Sequence, residues 1–161
     1  MKSVEQQKIK KLCNFYVSEV HLSVMLLPYI NNEINEDVEV TTIFKNLERK
    51  NFEKILDKLN VENKAKILDI NWIRNEDVDE GNLLESIKKN KKNTIIIEGN
   101  KDYIIDTNKK INKILNKNRC NFQDIKIIDC YNVEEVGDEM RVIVKEYDEV
   151  LNTLSGIKSC G

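Results

Sequence analysis

Five apolar runs in this chain are each followed by an amphipathic helical stretch, and none of the five junctions carries a glycine-rich phosphate loop. Strands alternating with helices imply right-handed crossovers and a parallel sheet covered on both faces. The expected fold class is therefore α/β: a single three-layer domain around a mostly parallel five-stranded sheet. Its 161 residues fit one domain spanning 1–161, with about 1–9 and 156–161 frayed at the ends. This is a nucleotide-binding type of architecture without the usual nucleotide-binding equipment.

The first strand reads as residues 12–17, and Ser18 then reads as the N-cap of a helix with Glu19 in its first turn. Val20, Val24, Leu27, Ile30 and Ile34 share one face of that helix, and Pro28, the only proline, should bend it. The second strand is β-branched, residues 38–44. A helix from about Asn51 follows, with Phe52, Ile55, Leu56 and Leu59 as its buried stripe. Residues 65–72 read as the third strand, followed by a polar loop and a short helix carrying Leu83, Leu84 and Ile87. Residues 94–98 form a short continuous apolar run, the mark of a central parallel strand buried on both faces. Its helix carries Ile104, Ile111, Ile114 and Leu115. The fifth strand is 125–131, and Met140, Val144, Tyr147 and Leu151 give a last helix that Gly156 should stop.

Several functional classes are excluded by composition. Net charge is −2 with lysines scattered among acids, so no nucleic-acid surface is expected. The run Lys88-Lys89-Asn90-Lys91-Lys92 falls where a helix should end and suits the helix dipole. No apolar stretch approaches the ~20 residues of a membrane span, and the polar start has no signal-peptide core, so a cytoplasmic protein is expected. Four cysteines without a CxxC pair, and one histidine, argue against zinc and for thiols in a reducing compartment. Neither GxxxxGK[ST], GxGxxG nor GxSxG occurs, so hydrolysis of ATP or GTP by a phosphate-loop mechanism is not expected, nor any cofactor or metal.

In open α/β sheets ligands bind beyond the carboxyl ends of the strands. The candidate ligand-binding residues there are Ser18, Glu19, His21, Trp72, Glu98, Gly99, Asn100 and Tyr131, with Arg74 and Asn132 beside them. Glu98 could orient a donor group, Trp72 or Tyr131 could stack, and Ser18 could share a helix-start amide site. The same side chains could equally cap helices, pack and close loops. Glu98 and Asp129 would make a carboxylate pair only if their strands adjoin and their phases agree. No catalytic constellation stands out.

Two segments resemble the MEDS sensory domains, a branch of the RecA-like superfamily without the phosphate loop. The stretch from Cys13 to Leu22, continuing through Leu27-Pro28-Tyr29-Ile30, is similar to the family's opening strand, acidic turn and Pro-aromatic helix. The stretch from Ile125 through Cys130-Tyr131-Asn132 to Leu151 is similar to its closing strand and final helix, with Asn132 where an aspartate is usual. Residues 95–99 are loosely similar to its penultimate strand.

The resemblance implies a RecA-like (Rossmann-like) fold, with the first strand beside the fifth and Cys13 near Cys130. It also implies a non-catalytic sensory or regulatory module in signalling, which binds a small ligand or a partner protein; a homo-oligomer is compatible with this reading. The alternatives are a small α/β enzyme using Glu98 or His21 in acid/base chemistry, and a structural protein-interaction domain.

Overall fold

A computed structural model describes residues 9–118, 122, 124–152 and 156–159. The strands are β1 (Ile9–Tyr16), β2 (Glu39–Phe44), β3 (Asn71–Arg74), β4 (Asn93–Gly99), β5 (Ile125–Asn132), β6 (Glu149–Asn152) and β7 (Gly156–Ser159). The helices are α1 (Glu19–Asn35), α2 (Arg49–Lys58), α3 (Lys64–Leu68), α4 (Glu80–Ser86), α5 (Lys101–Lys117), α6 (Val133–Val136) and α7 (Met140–Val144). The sheet order is β3-β2-β4-β5-β1-β6-β7, parallel throughout except for the β6–β7 pair. The expected α/β architecture is present, with seven strands in place of five.

Leu22, Leu26 and Ile30 of α1, Phe52 and Leu56 of α2 and Ile67 of α3 pack on one face of the sheet with Leu12, Val40, Ile96 and Ile128. Leu83 of α4, Ile104, Ile111 and Leu115 of α5, Val136 of α6 and Ile143 of α7 pack on the other, with Cys13, Ile43, Ile95 and Ile127. The chain thus moves from β1 to β3 over one face and returns to β6 over the other, as right-handed crossovers require. β4 lies between β2 and β5, and all seven of its residues are buried. That explains its unbroken apolar run.

The structure corrects four expectations. Residues 64–68 are helical, and the third strand is only Asn71–Arg74. One buried residue, Ile67, serves that helix, so its periodicity is too short to read. The last helix ends at Val144, Leu151 lies on β6, and Gly156 opens β7 where a stop and a frayed tail were expected. A backbone bond from the Asp148 amide to the Lys11 carbonyl, and one from the Lys11 amide to the Asp148 carboxylate, draw this segment onto the edge of β1, a tertiary pull absent from local spacing. Val20 is 57% exposed, and α1 instead buries Leu22, Met25, Leu26, Leu27 and Ile30. Apolar residues occupy much of that helix's circumference, so spacing alone does not choose its face.

β1 does pair with β5, but the thiols do not meet. Cys13 lies level with Asp129 and Cys130 with Asn14, and the two pack in opposite layers. Successive residues of a strand point to opposite faces, so neighbours one step out of phase are separated by the sheet. Cys120, Cys160 and the residues before Ile9 lie outside the described residues.

Candidate functional site

Ligand crevices in such sheets open where adjacent strands send their chains to opposite faces. Two such points matter at the carboxyl edge: β2 beside β4, and β5 beside β1.

The β2–β4 crevice is filled by the protein's own carboxylate. Glu98, wholly buried near the end of β4, accepts from the amides of Asn46 (2.8 Å) and Leu47 (2.9 Å) at Oε1. At Oε2 it accepts from Asn46 Nδ2 (2.9 Å) and the Tyr16 hydroxyl (3.0 Å). A carboxylate has about four acceptor positions, and all are used. Two successive backbone amides make a small anion nest, which here holds Glu98 in place of a ligand's anion. Burial, and then the Glu98 charge, pushes the Tyr16 phenol well above its ordinary range, so Tyr16 stays a donor. The Tyr103 ring and Lys45 close over Gly99, where an added Cβ would stand 2.5 Å from Tyr103 Cδ2. A glycine is needed there for that close approach.

At the β5–β1 point the residues just beyond β1 are exposed. Tyr16 and Asn132 are the last paired residues, and beyond them the chain diverges into α1 and α6. Ser18 caps α1, its Oγ accepting from the His21 amide at 3.1 Å, and His21 Nδ1 accepts from the Val17 amide at 3.1 Å. Ser18 thus caps the helix, and His21 three residues later reaches back to the amide before the cap, a variation on the reciprocal capping box. Asn132 caps α6 through the Glu134 amide at 2.9 Å. Ser18 and Glu19 are exposed, and so are the apolar side chains of Val17 (61%) and Val20 (57%).

Asn100 and Trp72 lie apart from the β5–β1 pair, and Tyr131 lies on it but turned inward. Asn100 caps α5 by accepting from the Tyr103 amide at 2.8 Å. Trp72 is half-buried on β3 against Phe44 and Phe52, with the Arg49 guanidinium 4.8 Å from its ring centre. β3 and β1 are four strand spacings apart, ~19 Å at ~4.8 Å each. Trp72 and Ser18 therefore cannot share one small ligand. Tyr131 is buried on the α5 face, stacked on Phe15. Glu98 and Asp129 sit on adjacent strands but face opposite layers, since Glu98 lies level with Cys130. They do not form a pair.

The most elaborate polar cluster was missed by the sequence reading. Asp129, wholly buried on β5, accepts from Lys11 Nζ (2.9 Å), Asn108 Nδ2 (3.0 and 3.1 Å) and the Tyr147 hydroxyl (2.5 Å). Lys11 Nζ also donates to Asn108 Oδ1, and the Tyr131 and Tyr147 hydroxyls share a 2.5 Å bond. Burial, then the Asp129 charge, drives the Tyr147 phenol far above its usual range. A pattern could have revealed this cluster. Lys11 alternates with Ile9, Cys13 and Phe15, and Asn108 stands in the stripe of Ile104, Ile111 and Leu115. Each is a polar residue at an inward position.

At the opposite, amino edge lies a groove of about 780 Å³, lined by Lys10, Glu33, Thr94, Lys126 and Glu149 among others. Several of its charges are matched within the protein: Lys10 with Glu149, Lys126 with Glu33, and Lys126 again with the Tyr29 hydroxyl. Among the described residues no cluster of His, Cys, Asp and Glu could hold a metal, and no helix is long and apolar enough to cross a membrane. No protein-family model matches this chain, and no curated protein matches it significantly.

Proposed function

We propose that this chain is a non-catalytic sensory or regulatory module of the MEDS type, working in the cytoplasm. It binds a small ligand or a partner protein at the carboxyl edge of its sheet, in the crevice between β1 and β5. The observation that carries the reading is the contrast between the two crevices. One is filled by Glu98, and the other leaves Val17, Ser18, Glu19 and Val20 exposed. Exposed apolar side chains beside capped helix starts suit a ligand with polar and apolar parts. The saturated Glu98 carboxylate and the capping role of His21 count against acid/base catalysis by either residue.

A thermal-shift screen against nucleotides and metabolites tests this, because a ligand of the native state raises the melting temperature. A hit should lose about tenfold in affinity in the Ser18→Ala/Glu19→Gln protein, the order expected for one lost hydrogen bond to a charged group. It should bind Trp72→Ala as it binds the wild type. Undiminished binding in the double variant would place the site elsewhere.

A further inference from the structure

We infer that the β6–β7 ribbon is a detachable strap, and that the β1 edge beneath it accepts the same strand from a second copy of this chain. β1 pairs with β5 through eight residue pairs but with β6 through only two, Leu12 with Glu149 and Cys13 with Val150. Other contacts hold the strap. Tyr147 reaches Asp129, the Lys11 amide donates to Asp148 Oδ2 (2.9 Å), and the Asp148 amide donates to the Lys11 carbonyl (2.8 Å). Lys10 pairs with Glu149, and Leu151 is buried on the α1 face.

Closure also seals in an unsatisfied group. Asn14 is wholly buried on β1, and its Nδ2 donates to Met25 Sδ and to the Leu151 carbonyl at 3.1 Å. Its Oδ1 has no partner. A buried acceptor without a bond is costly, and departure of the strap would open it to water. Lys11, whose side chain is already 27% exposed, and Asp129 would be hydrated in the same step. The strap therefore gains less from closing than its contacts suggest.

The bared edge specifies its occupant. It presents the unpaired strand flanked by Asp129, Lys11 and Lys10, so it fits an extended segment carrying a phenol, then two acids, then apolar residues. Tyr147-Asp148-Glu149-Val150-Leu151 is that sequence. A second copy supplies it without any new complementarity, and exchanging an identical element is a low-cost route to a dimer. Exposed Lys145 and Glu146, between α7 and the strap, are the hinge.

The test is amide hydrogen exchange on the full chain, with light scattering over a concentration series. In the wild type, the Asp148 amide should exchange at least about tenfold faster than that of Lys45, which bonds the Glu98 carbonyl at 3.0 Å. In Tyr147→Phe it should exchange about tenfold faster again, with Lys45 unchanged. Mixing Lys10→Glu chains with Glu149→Lys chains should yield more dimer than either alone, because exchange reunites opposite charges. Equal exchange of Asp148 and Lys45 in the wild type would overturn the strap. Strictly monomeric behaviour of the charge-swapped mixture would overturn the exchange.

Discussion

Glu98 and Asp129 are buried on adjacent central strands, yet each is held in a different way. Glu98, near a strand end, is satisfied by neutral donors: two loop amides, one side-chain amide and one phenol. Asp129, in mid-strand, is satisfied by a cation, an amide from α5 and a phenol from beyond α7. The difference follows from where backbone donors remain available. Inside a parallel sheet the N–H groups are committed to the ladder, whereas a loop leaving a strand still has some to offer. A carboxylate at the edge can therefore be held by backbone, and one in the middle must recruit side chains from other layers. Glu98 consequently fixes the loop after β2 and the end of β1, while Asp129 ties together β1, α5 and the β6 strap.

The largest loss of stability is expected at Glu98. Glu98→Leu strands the buried Leu47 amide and Tyr16 hydroxyl and should cost about 4 kcal/mol in urea unfolding, since each orphaned buried donor costs roughly 1–3. Replacing a single partner should not restore it, because two of the donors are backbone.

Next comes Lys11→Met, which leaves Asp129 without its cation. The loss should be about 3 kcal/mol, at the low end for a broken buried pair because Lys11 is partly exposed. Adding Asp129→Leu should recover none of it, because the Tyr147 hydroxyl and the Asn108 amide then lose their acceptor as well. Recovery in the double variant would show that Asp129 does no more than balance Lys11.

Tyr147→Phe removes one donor from Asp129 and the partner of Tyr131, and should cost about 1–2 kcal/mol. The smallest effect is visible only in alkali. The Tyr16, Tyr131 and Tyr147 phenols are all raised above their ordinary range, first by burial. Their folded forms hold protons that the unfolded chain releases above about pH 10. Their contribution is complete below that pH and falls as pH rises, by up to about 1.4 kcal/mol per unit for each tyrosine. Stability measured from pH 8 to 11 should bend downward near pH 10, and less steeply in Tyr147→Phe. A profile identical to the wild type would show that this phenol is not held neutral by folding.

Much of the frame was legible. The buried run of β4, the Ser18 cap and the α5 stripe were read correctly, because each is dictated within about a dozen residues. Trp72 could also be anticipated as a packing residue, although it lies near the start of β3 and not at the strand end expected of it. The Glu98 environment was not legible, since its donors are Tyr16, Asn46 and Leu47, about 50 or more residues away. The Asp129 cluster left a trace in the misplaced polarity of Lys11 and Asn108, but no local rule says that the two meet.

By itself the sequence determined the alternation of strands and helices, the burial of the central strand, the helix caps and the absence of a phosphate loop. These are consequences of periodicity, end chemistry and residue identity. Only the tertiary structure decided the order of the strands, the face to which each side chain turns, and which crevice is filled. A one-residue step in strand phase moves a side chain through the sheet. That step separates Glu98 from Asp129 and Cys13 from Cys130, although their strands adjoin. It depends on how strands from distant parts of the chain align, which local sequence does not encode.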